Sequence, residues 1–524
     1  MIFRSQFPDV VVPDAPLHEY AFEHVEQWLD HPAFIEGPTG RVMTFRQLRD
    51  QVRMVAAGLA QRGFTKGDRI SIYAPNVPEY APAFFGLLTA GGTAVMSNPL
   101  YTAEELGRQL KDTGTRLVVT VPALAPRALA ALDALGGGEV FVFGEAERCT
   151  PFAELLVDAP APVVQFDVHH DFAAFPTSSG TTGLPKSVML SHRAIVANVE
   201  QCHHIDPVGP GDHTIATLPF FHIYGMTVIM CALLRRGACA VTMPQFDLEQ
   251  YLRLSEQYRV VVAYVVPPIA LALAKHPLVG QFDLSSLRSI NSGAAPLGAE
   301  LEKACADRLN CLVKQGYGMT EASPVTHFTP SDPALIVHGS CGLLVPNTEC
   351  RIVHLETKQD LGIGEHGEIL IRGPQLMHGY LNNPDSTAEA LDSDGWLHTG
   401  DVGYATDSGH LYIVDRLKEF IKYKGFQVAP AELEAVLLTH PEIADAAVIP
   451  CADEEAGELP KAFVVRRGHG STLTADAVMA FVATQVAPYK KVRRVEFVDT
   501  IPKSASGKIL RRELILRERA KTAT

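Results

Sequence analysis

Helix-period segments and short apolar runs alternate along the first part of the chain. The stretch LRDQVRMVAAGLAQRG, which begins at Leu48, repeats apolar residues at the spacing of an amphipathic helix. Short apolar runs follow it, namely RISIYAP, GGTAVMS, RLVVTV, FVFG, CAVTMP and VVAYVVPP. Strands that alternate with helices are typical of βαβ units around a parallel sheet. The pattern therefore predicts an α/β body that extends to about Gly318.

The pattern changes near Gly342. Strand-like runs punctuated by glycine, ECRIVHL, GEILIRG and HLYIVD, predict a β-rich subdomain over about 342–415. The charged stretch RLKEFIKYKG then leads into a segment with its own apolar periodicity. We expect a large N-terminal domain of layered α/β subdomains at 1–415 and a small, mobile α+β domain at 416–524, with the hinge near Lys418.

Length and charge narrow the class of protein. A chain of 524 residues with 47% hydrophobic and 20% charged residues is expected to be globular with more than one core. The formal charge of −14 and the lack of a long basic run argue against a nucleic-acid partner. Nine cysteines without a C-x-x-C pair indicate reduced thiols. No targeting signal is evident, and the apolar stretch from Val260 to Ala274 is too short to span a bilayer, so we expect a cytoplasmic protein, monomeric or homodimeric.

The most unusual local chemistry lies in seven consecutive Thr, Ser or Gly residues, Thr177 to Gly183, followed by Lys186. Such a loop offers hydroxyls and close backbone N–H groups to a phosphate. A P-loop would need glycine before the lysine and a helix directly after it. Here Pro185 precedes the lysine, SVMLS is strand-like, and a helix is expected only after a cap at Ser191. A phosphate loop of another kind and a plain surface connection both stay open for this stretch alone.

The segment SSGTTGLPKSVMLSH resembles the phosphate-binding loop of the adenylate-forming superfamily, which includes acyl-CoA synthetases, the adenylation domains of peptide synthetases and beetle luciferases. The chain follows the superfamily's order of motifs nearly end to end and is most similar to the 4-coumarate:CoA ligase branch. The resemblance implies an ATP-dependent ligase that forms an acyl-AMP and then a thioester with CoA, with Mg²⁺ on the phosphates. One residue departs from the pattern, because Ser187 stands where the family usually has glycine.

The resemblance also assigns nucleotide contacts. The β- and γ-phosphates would be held by Ser178, Ser179, Gly180, Thr181, Thr182 and Lys186. In QGYGMTEASP the adenine would stack on Tyr317, Thr320 would donate to the α-phosphate and Glu321 would bind Mg²⁺. The carboxylate of Asp401 would accept the ribose hydroxyls beside Arg416, although a purely structural ion pair is the alternative. The remaining cofactor contacts implied are Ala294, Gln315 and Gly316.

The C-terminal motifs imply the catalytic groups. In IPKSASGKILRR, Lys508 would neutralise the carboxylate and α-phosphate as they approach. After rotation of the small domain about Lys418, a second face would meet the acceptor. Around that pivot the resemblance places Lys422 and Gln427 on the adenylate, and Lys424 and Gly425 along the CoA approach.

The acyl pocket is implied by the same resemblance. His222 in LPFFHIYG would line it and gate CoA entry without acting as a base, and a packed core histidine is the alternative. A tyrosine and two glycines suit a flat ring, so an aryl or arylpropenoic acid is favoured over a fatty acid. A buried asparagine needs a partner, so Asn291 suggests a polar ring substituent. The pocket residues are Ile223, Tyr224, Val228, Asn291, Ala294, Gly316, Gly318, Pro324 and Val325.

Other functions remain open on these motifs. The acyl group could pass to a carrier protein or an amine instead of CoA, and some relatives activate nitrite for diazotisation of an aryl amine. A luciferase-like monooxygenase shares every adenylation motif. A non-catalytic nucleotide sensor would be expected to lose Lys508 or Glu321, and both are present.

Overall fold

The computed structural model of the chain describes residues 1–178, 185–203, 207–417, 419–424, 426–453, 456–468, 471–504 and 507–522. Several predicted site residues lie outside these ranges. They are Ser179, Gly180, Thr181, Thr182, Lys418 and Gly425.

A nine-stranded mixed sheet forms the first layer of the α/β body. Its central strand, Arg69–Tyr73, pairs in parallel with Thr93–Met96 on one side and Leu117–Thr120 on the other. The apolar runs of the sequence become these buried strands, as predicted. In spatial order the strands are Thr177–Ser178, Lys186–Ser191, Phe172–Phe175, Thr93–Met96, Arg69–Tyr73, Leu117–Thr120, Glu139–Val142 and Thr150–Pro151, with Gly379–Tyr380 paired to Lys186–Ser191.

Two smaller sheets complete the α/β part. The five-stranded sheet is parallel through its first three strands and antiparallel beyond them. Its strands are Val262–Val265, Ser289–Ser292, Leu312–Gly318, Val325–Phe328 and Leu343–Leu344. The four-stranded sheet consists of His213–Ala216, Cys239–Thr242, Pro32–Glu36 and Val42–Thr44.

The β-rich segment forms an antiparallel sheet of its own. The chain's first strand, Ile2–Arg4, pairs with Glu349–Val353 and adds an edge that the sequence pattern does not reveal. The order is Ile2–Arg4, Glu349–Val353, Gly367–Arg372, Leu397–Ala405 and Leu411–Arg416. This sheet brings Asp401 next to Arg416, which are direct register partners.

The C-terminal part has a separate sheet and separate hydrophobic clusters. Its strands are Phe426–Val428, Ile421–Tyr423, Gly457–Arg466 and Ile443–Asp453, with Arg494–Phe497 paired to Gly457–Arg466. The buried members of its two clusters all come from residues 421–514. A domain that moves independently requires a hydrophobic core of its own. The boundary at 415 and the pivot at Lys418 stay predictions.

Helices cover the sheets, and their caps follow the local sequence. Thr44 and Gln47 form a capping box at the start of Phe45–Gln61, and Ser191 Oγ accepts from the backbone of Ala194 as predicted. The α-helices are Leu17–Phe22, Phe45–Gln61, Tyr80–Thr89, Ala103–Thr113, Ala125–Asp133, His192–Gln201, Ala232–Arg235, Leu248–Gln257, Pro267–Lys275, Ala299–Leu309, Pro384–Ala390, Pro430–Thr439, Ala475–Ala483 and Arg511–Thr522, and Tyr224–Cys231 is a π-helix. Within the described ranges, none of the helices is both long and apolar enough to cross a membrane.

Candidate active site

Three side chains meet where the β-rich sheet adjoins the five-stranded sheet. Tyr317 donates its hydroxyl to Asp401 Oδ2 at 2.7 Å, and Arg416 Nε lies 3.2 Å from Asp401 Oδ1. Burial raises the pKa of the Asp401 carboxyl, against the opposing charge of Arg416. Each carboxylate oxygen can accept more than one hydrogen bond, so the pair leaves capacity for a ligand diol. The predicted ion pair therefore exists, and it is compatible with both interpretations of the motif.

Lys508 reaches this group from the C-terminal part of the chain. A bridge between Lys503 and Ile509 and a hydrogen bond from Ser504 N to Lys508 O at 2.8 Å close its turn. At Gly507, φ is +77° and an added Cβ would lie 2.9 Å from Val266 Cγ2, so the turn packs tightly on the large body. Desolvation and the charge of Arg416 lower the pKa of Lys508 to about 8. The described geometry thus holds the predicted reactive lysine beside Asp401 and Arg416.

A buried cluster of ions anchors the helix that follows Lys508. Arg511 Nη2 lies 2.6 Å from Glu434 Oε2, and Arg511 Nη1 pairs with Glu419. Asp415 adds a carboxylate to this cluster and accepts a hydrogen bond from Ala431 N at 2.9 Å. The charge of Arg511 opposes the rise that burial causes in the pKa of Glu434. The cluster joins the end of the β-rich sheet, the segment after the predicted hinge and the last helix.

The base of the phosphate loop contacts the segment that carries Glu321. Ser178 and Lys186 are register partners, so the two ends of the loop lie side by side. Lys186 Nζ lies 4.8 Å from the centroid of the Tyr380 ring, whose hydroxyl donates to Glu321 Oε1 at 2.8 Å. Thr320 is buried at the start of the same short 3₁₀ turn. The structure therefore brings Lys186 and Glu321 together at Tyr380.

The metal prediction can be tested against the donor set. Within the described residues there is no group of three His, Cys, Asp or Glu side chains that could hold a metal ion. Magnesium is often held by one or two carboxylates with the remaining ligands from water and nucleotide phosphates. Glu321 is a single buried carboxylate that Tyr380 connects to Lys186, so it fits this mode of magnesium binding.

The segment from Asn291 to Gly298 is held from behind by Gln315. The Gln315 side chain donates to Leu297 O at 2.9 Å and to Glu302 Oε2 at 2.7 Å, and it accepts from Leu297 N at 2.8 Å. Ala294 within this segment has a positive φ of 69°. Gln315 thus orients the backbone that passes the predicted adenine site, and a direct nucleotide contact by this residue stays a prediction.

The two glycines of the predicted acyl pocket, Gly316 and Gly318, are required by the packing of the protein itself. A Cβ on Gly318 would lie 2.2 Å from Pro324 O, and one on Gly316 would lie 3.0 Å from the Phe328 ring. Protein atoms, rather than open space for a ligand, occupy those positions. The two glycines therefore give no independent support for the predicted flat substrate ring.

The rest of the predicted pocket lies around Tyr224. Its ring lies against Gly293, and its hydroxyl donates to Asn291 O at 3.3 Å. Ile223 and Val325 are buried, and Val228 is half-buried on the π-helix. Tyr264 and Lys314 are the register partners of Asn291 on the adjoining strands, so these three buried side chains project from the same face of the sheet. Tyr264, Asn291 and Lys314 therefore form a row of polar side chains across three neighbouring strands, which we call the polar row.

His222 begins the segment that leads into the π-helix. Its Nδ1 accepts from Tyr224 N at 3.3 Å, which places the proton of the neutral ring on Nε2. Burial, with a smaller contribution from Lys508, lowers the pKa of His222 to about 4. The imidazole is therefore neutral near pH 7 and presents a donor, which suits a gating side chain better than a base.

The hairpin after the predicted hinge lies on the surface. Lys422 and Gln427 are register partners, and both side chains are exposed. Lys424 is also exposed, with a positive φ of 46°. These side chains are therefore accessible to solvent, whereas Lys508 is desolvated beside Arg416 and Asp401.

Several side chains of this site could not be predicted from the sequence. Tyr380 belongs to a two-residue strand, and only its pairing with Val188 brings it to Glu321. Arg511 stands beside another arginine in the sequence, and nothing local distinguishes the two. Tyr264 lies in an apolar run that predicts only a buried strand. Their roles depend on long-range pairing, which a local pattern does not contain.

The fold is that of adenylate-forming enzymes, and comparison with known proteins agrees. The family model "AMP-binding enzyme" matches residues 21–381, and "AMP-binding enzyme C-terminal domain" matches residues 432–508. The chain belongs to the AMP-binding enzyme family.

Among curated relatives, the chain is 45% identical to 4-coumarate–CoA ligase 1 of Petroselinum crispum, over 98% of this chain and 96% of the relative. Among solved structures it is similar to ATP-bound MatB of Rhodopseudomonas palustris, with 28% identity, a TM-score of 0.87 and coverage of 97% and 99% of the two chains. It is also similar to the amide bond synthetase McbA of Marinactinospora thermotolerans, with 26% identity, a TM-score of 0.85 and coverage of 96% and 100%.

Proposed function

We propose that the chain is an ATP-dependent acid:CoA ligase that acts on an aryl or arylpropenoic acid. The observation that carries the proposal is the 45% identity to a 4-coumarate–CoA ligase over nearly the whole of both chains. The geometry agrees, because Arg416 pairs with the buried carboxylate of Asp401 and the charges of both residues act on Lys508.

In the first half-reaction a carboxylate oxygen of the acid attacks the α-phosphorus of ATP, and the bond to the bridging oxygen breaks. Pyrophosphate leaves with that bond's electron pair. Asp401 accepts from the ribose hydroxyls, and the ring of Tyr317 stacks on the adenine. Lys508 places its positive charge between the two anions, whose mutual repulsion otherwise opposes the approach. The charges in the cleft thus act on the step in which negative charge gathers.

Glu321 would hold Mg²⁺ together with phosphate oxygens of the nucleotide. The ion would supply positive charge to the departing pyrophosphate. The chain's own contribution is positional: Tyr380 fixes the Glu321 carboxylate through a hydrogen bond of 2.8 Å and contacts Lys186 through its ring.

In the second half-reaction the sulfur of CoA attacks the acyl carbonyl carbon. The bond from that carbon to the phosphate oxygen breaks, AMP leaves with the electron pair, and the thiol proton passes to solvent. The small domain, residues 416–524, turns about Lys418 between the two steps, withdrawing Lys508 and bringing Lys424 towards the acceptor. AMP is a good leaving group, so no general base is assigned, and His222 acts as a gate.

The acid class rests on the relatives and on the polar row. Tyr264, Asn291 and Lys314 are at most 2% exposed, and Lys314 Nζ donates to Ser331 Oγ at 2.7 Å. An acid with a hydroxyl on its ring would place that group against polar atoms instead of burying it unpaired. The expected substrate is therefore a ring-hydroxylated arylpropenoic or aryl acid, in preference to a fatty acid.

The test is to incubate the purified chain with ATP, Mg²⁺ and a panel of arylpropenoic, aryl and fatty acids, with and without CoA. Pyrophosphate release and thioester mass are measured. Pyrophosphate with an aryl-type acid and a thioester only when CoA is present would support the assignment. If CoA neither accelerates pyrophosphate release nor yields a thioester, CoA is not the acceptor.

An amine is the second candidate acceptor, because the similar structure McbA is named as an amide bond synthetase. The chemistry differs only in the attacking atom, a nitrogen in place of sulfur. The same panel with an aryl amine and no CoA distinguishes the two. An amide would form if the amine is the acceptor, and the acyl-adenylate would accumulate if it is not.

A further inference from the structure

A buried carboxylate on the helix Ala299–Leu309 contacts two other segments of the large body. Glu302 is 1% exposed, and its Oε2 accepts from Gln315 Nε2 at 2.7 Å and from Gly339 N at 2.9 Å. His338 Nδ1 lies 3.0 Å from Glu302 Oε1 and donates to it, because a carboxylate can only accept. Burial of an acidic side chain costs free energy unless donors of this kind surround it. The mechanism proposed above gives this well-bonded group no role.

The first contact leads to the predicted adenine site. Gln315 also bonds both backbone groups of Leu297, since its amide oxygen accepts from Leu297 N at 2.8 Å and its Nε2 donates to Leu297 O at 2.9 Å. Glu302 decides which way round this amide lies, because the carboxylate can accept only from the NH2 end. Leu297 belongs to the segment 291–298, in which Ala294 has a positive φ of 69°. Such a backbone conformation in a residue other than glycine persists only where its surroundings hold it.

The second contact leads to the β-rich sheet. The loop that follows His338 pairs with this sheet, because Cys341 N donates to Leu411 O at 2.8 Å. Leu411 is the first residue of the strand Leu411–Arg416, and the last residue of that strand forms the ion pair with Asp401. One carboxylate thus connects the segment predicted to contact the adenine with the sheet that carries the carboxylate predicted for the ribose.

We propose that Glu302 is a positioning residue for the nucleotide. It fixes the Gln315 amide and the loop at Gly339, and so sets the segment 291–298 at the right distance from Asp401 for one ligand to contact both. Glu302 acts through these groups and does not itself touch the nucleotide. The assignment rests on the proposed function, since it presupposes that the adenine nucleotide lies between these two elements.

The test compares nucleotide binding with acid binding in Glu302→Leu. Leucine removes every acceptor, so the KM for ATP in pyrophosphate release and the Kd for AMP by calorimetry should both rise roughly tenfold. The KM for the acid should change little, because the strand Ser289–Ser292 is held by its neighbours on both sides. Loss of overall stability alone would not produce this division between the two substrates.

Two further variants and a control complete the test. Glu302→Gln keeps the length of the side chain and one acceptor oxygen for Gln315 and Gly339, so it should restore nearly wild-type values. Glu302→Asp keeps the charge but withdraws the oxygens by about 1.5 Å, so it should raise the Kd for AMP roughly threefold even if the leucine variant does not fold. Glu300→Leu, at an exposed position of the same helix, is the matched control and should leave all three constants unchanged.

The outcomes separate this role from the proposed function. An unchanged Kd for AMP in the folded Glu302 variants would overturn the positioning role, and so would an equal rise in the KM values for ATP and for the acid. A glutamine variant as weak as the leucine variant would overturn the assignment to these hydrogen bonds. A wild-type chain that binds AMP but releases no pyrophosphate from ATP with any acid would overturn the proposed function, while the Kd values for AMP would still decide on Glu302.

Discussion

Tyr380 and Glu321 are joined by a hydrogen bond of 2.8 Å from the tyrosine hydroxyl to Oε1 of the carboxylate. The ring of the same tyrosine contacts the Lys186 ammonium. One side chain therefore fixes a cation at the base of the phosphate loop and the carboxylate proposed for Mg²⁺. Because both charges are proposed to act on the same triphosphate, their relative placement should matter more than the strength of either contact.

Removing the hydroxyl in Tyr380→Phe is expected to slow acyl-adenylate formation. The carboxylate loses one positioning hydrogen bond, worth about 1 kcal/mol, which corresponds to roughly a fivefold lower kcat/KM for ATP. Tyr380→Leu also removes the ring contact with Lys186 and should cost roughly threefold more. The measurement is pyrophosphate release over a range of Mg²⁺ concentrations, since a displaced Glu321 raises the Mg²⁺ requirement.

Tyr404→Phe is the matched control for the Tyr380 variants. Tyr404 stacks between His366 and Tyr412 on the β-rich sheet, and the stack persists without the hydroxyl. It should leave both the rate and the Mg²⁺ requirement unchanged. If Tyr380→Phe behaves like Tyr404→Phe, the positioning role of Tyr380 is wrong.

The lowered pKa of Lys508 predicts a pH limit on the first half-reaction. In the proposed mechanism the protonated lysine is the active form, and burial lowers its pKa to about 8, so kcat/KM for pyrophosphate release should be level below pH 8. Above that pH it should fall by about tenfold per pH unit as the ammonium loses its proton. Lys508→Arg keeps the charge at all these pH values and should remove the fall, although its longer side chain lowers the rate.

The control for the pH prediction is thioester formation from supplied acyl-adenylate, a step for which the proposed rotation withdraws Lys508. That half-reaction should follow the ionisation of the thiol and rise with pH instead of falling. A decline of the adenylation rate that persists in Lys508→Arg would assign the ionisation to another group.

Much of the fold could be predicted because it depends on local pattern. The apolar run RISIYAP becomes the central strand of the large sheet, and Ser191 caps the next helix, since period and cap chemistry lie within a few residues. The strand Ile2–Arg4 could not be foreseen, because its partner Glu349–Val353 lies far along the chain. The α/β class was predicted correctly, and the domain bounds stay a prediction.

The site, like the fold, was predictable only where short sequence motifs determine it. The motif residues Tyr317, Asp401 and Lys508 could be proposed because each stands in a recognisable short segment, and the structure brings them together. Gly316 and Gly318 do not support the prediction of a flat substrate ring, since the space beside them is filled by protein atoms. Whether a glycine faces a ligand or a neighbouring carbonyl is decided by tertiary packing, and no spacing in the sequence records it.

Arg511→Gln is expected to loosen the small domain. It leaves Glu434 and Glu419 without their shared cation, and breaking a buried ion pair from one side costs about 3–5 kcal/mol. Hydrogen exchange of the strand Ile443–Asp453, which follows the Glu434 helix, should accelerate accordingly, because Val448 N donates to Glu434 Oε1 at 2.8 Å. Pyrophosphate release should fall as well, since the Lys508 turn precedes this anchor.

Arg512→Gln provides the comparison for the Arg511 variant. Arg512 is the exposed neighbour in the same helix, and a surface change of this kind is usually within about 0.5 kcal/mol. Equal exchange rates in the two variants would show that the ion cluster contributes nothing specific to the small domain.

Asn291→Met tests the polar row of Tyr264, Asn291 and Lys314 in the proposed acyl pocket. The amide lies between Tyr264 and Lys314 in the register of three parallel strands, and methionine replaces it with a larger side chain that cannot donate a hydrogen bond. A ring-hydroxylated arylpropenoic acid should lose roughly tenfold in kcat/KM relative to the unsubstituted acid, because its hydroxyl would be buried beside an apolar side chain, at about 1.5 kcal/mol. The two acids are compared by pyrophosphate release under identical conditions. An unchanged ratio between them would place the ring substituent away from Asn291, and the preference for a hydroxylated acid would then have to come from another wall of the pocket.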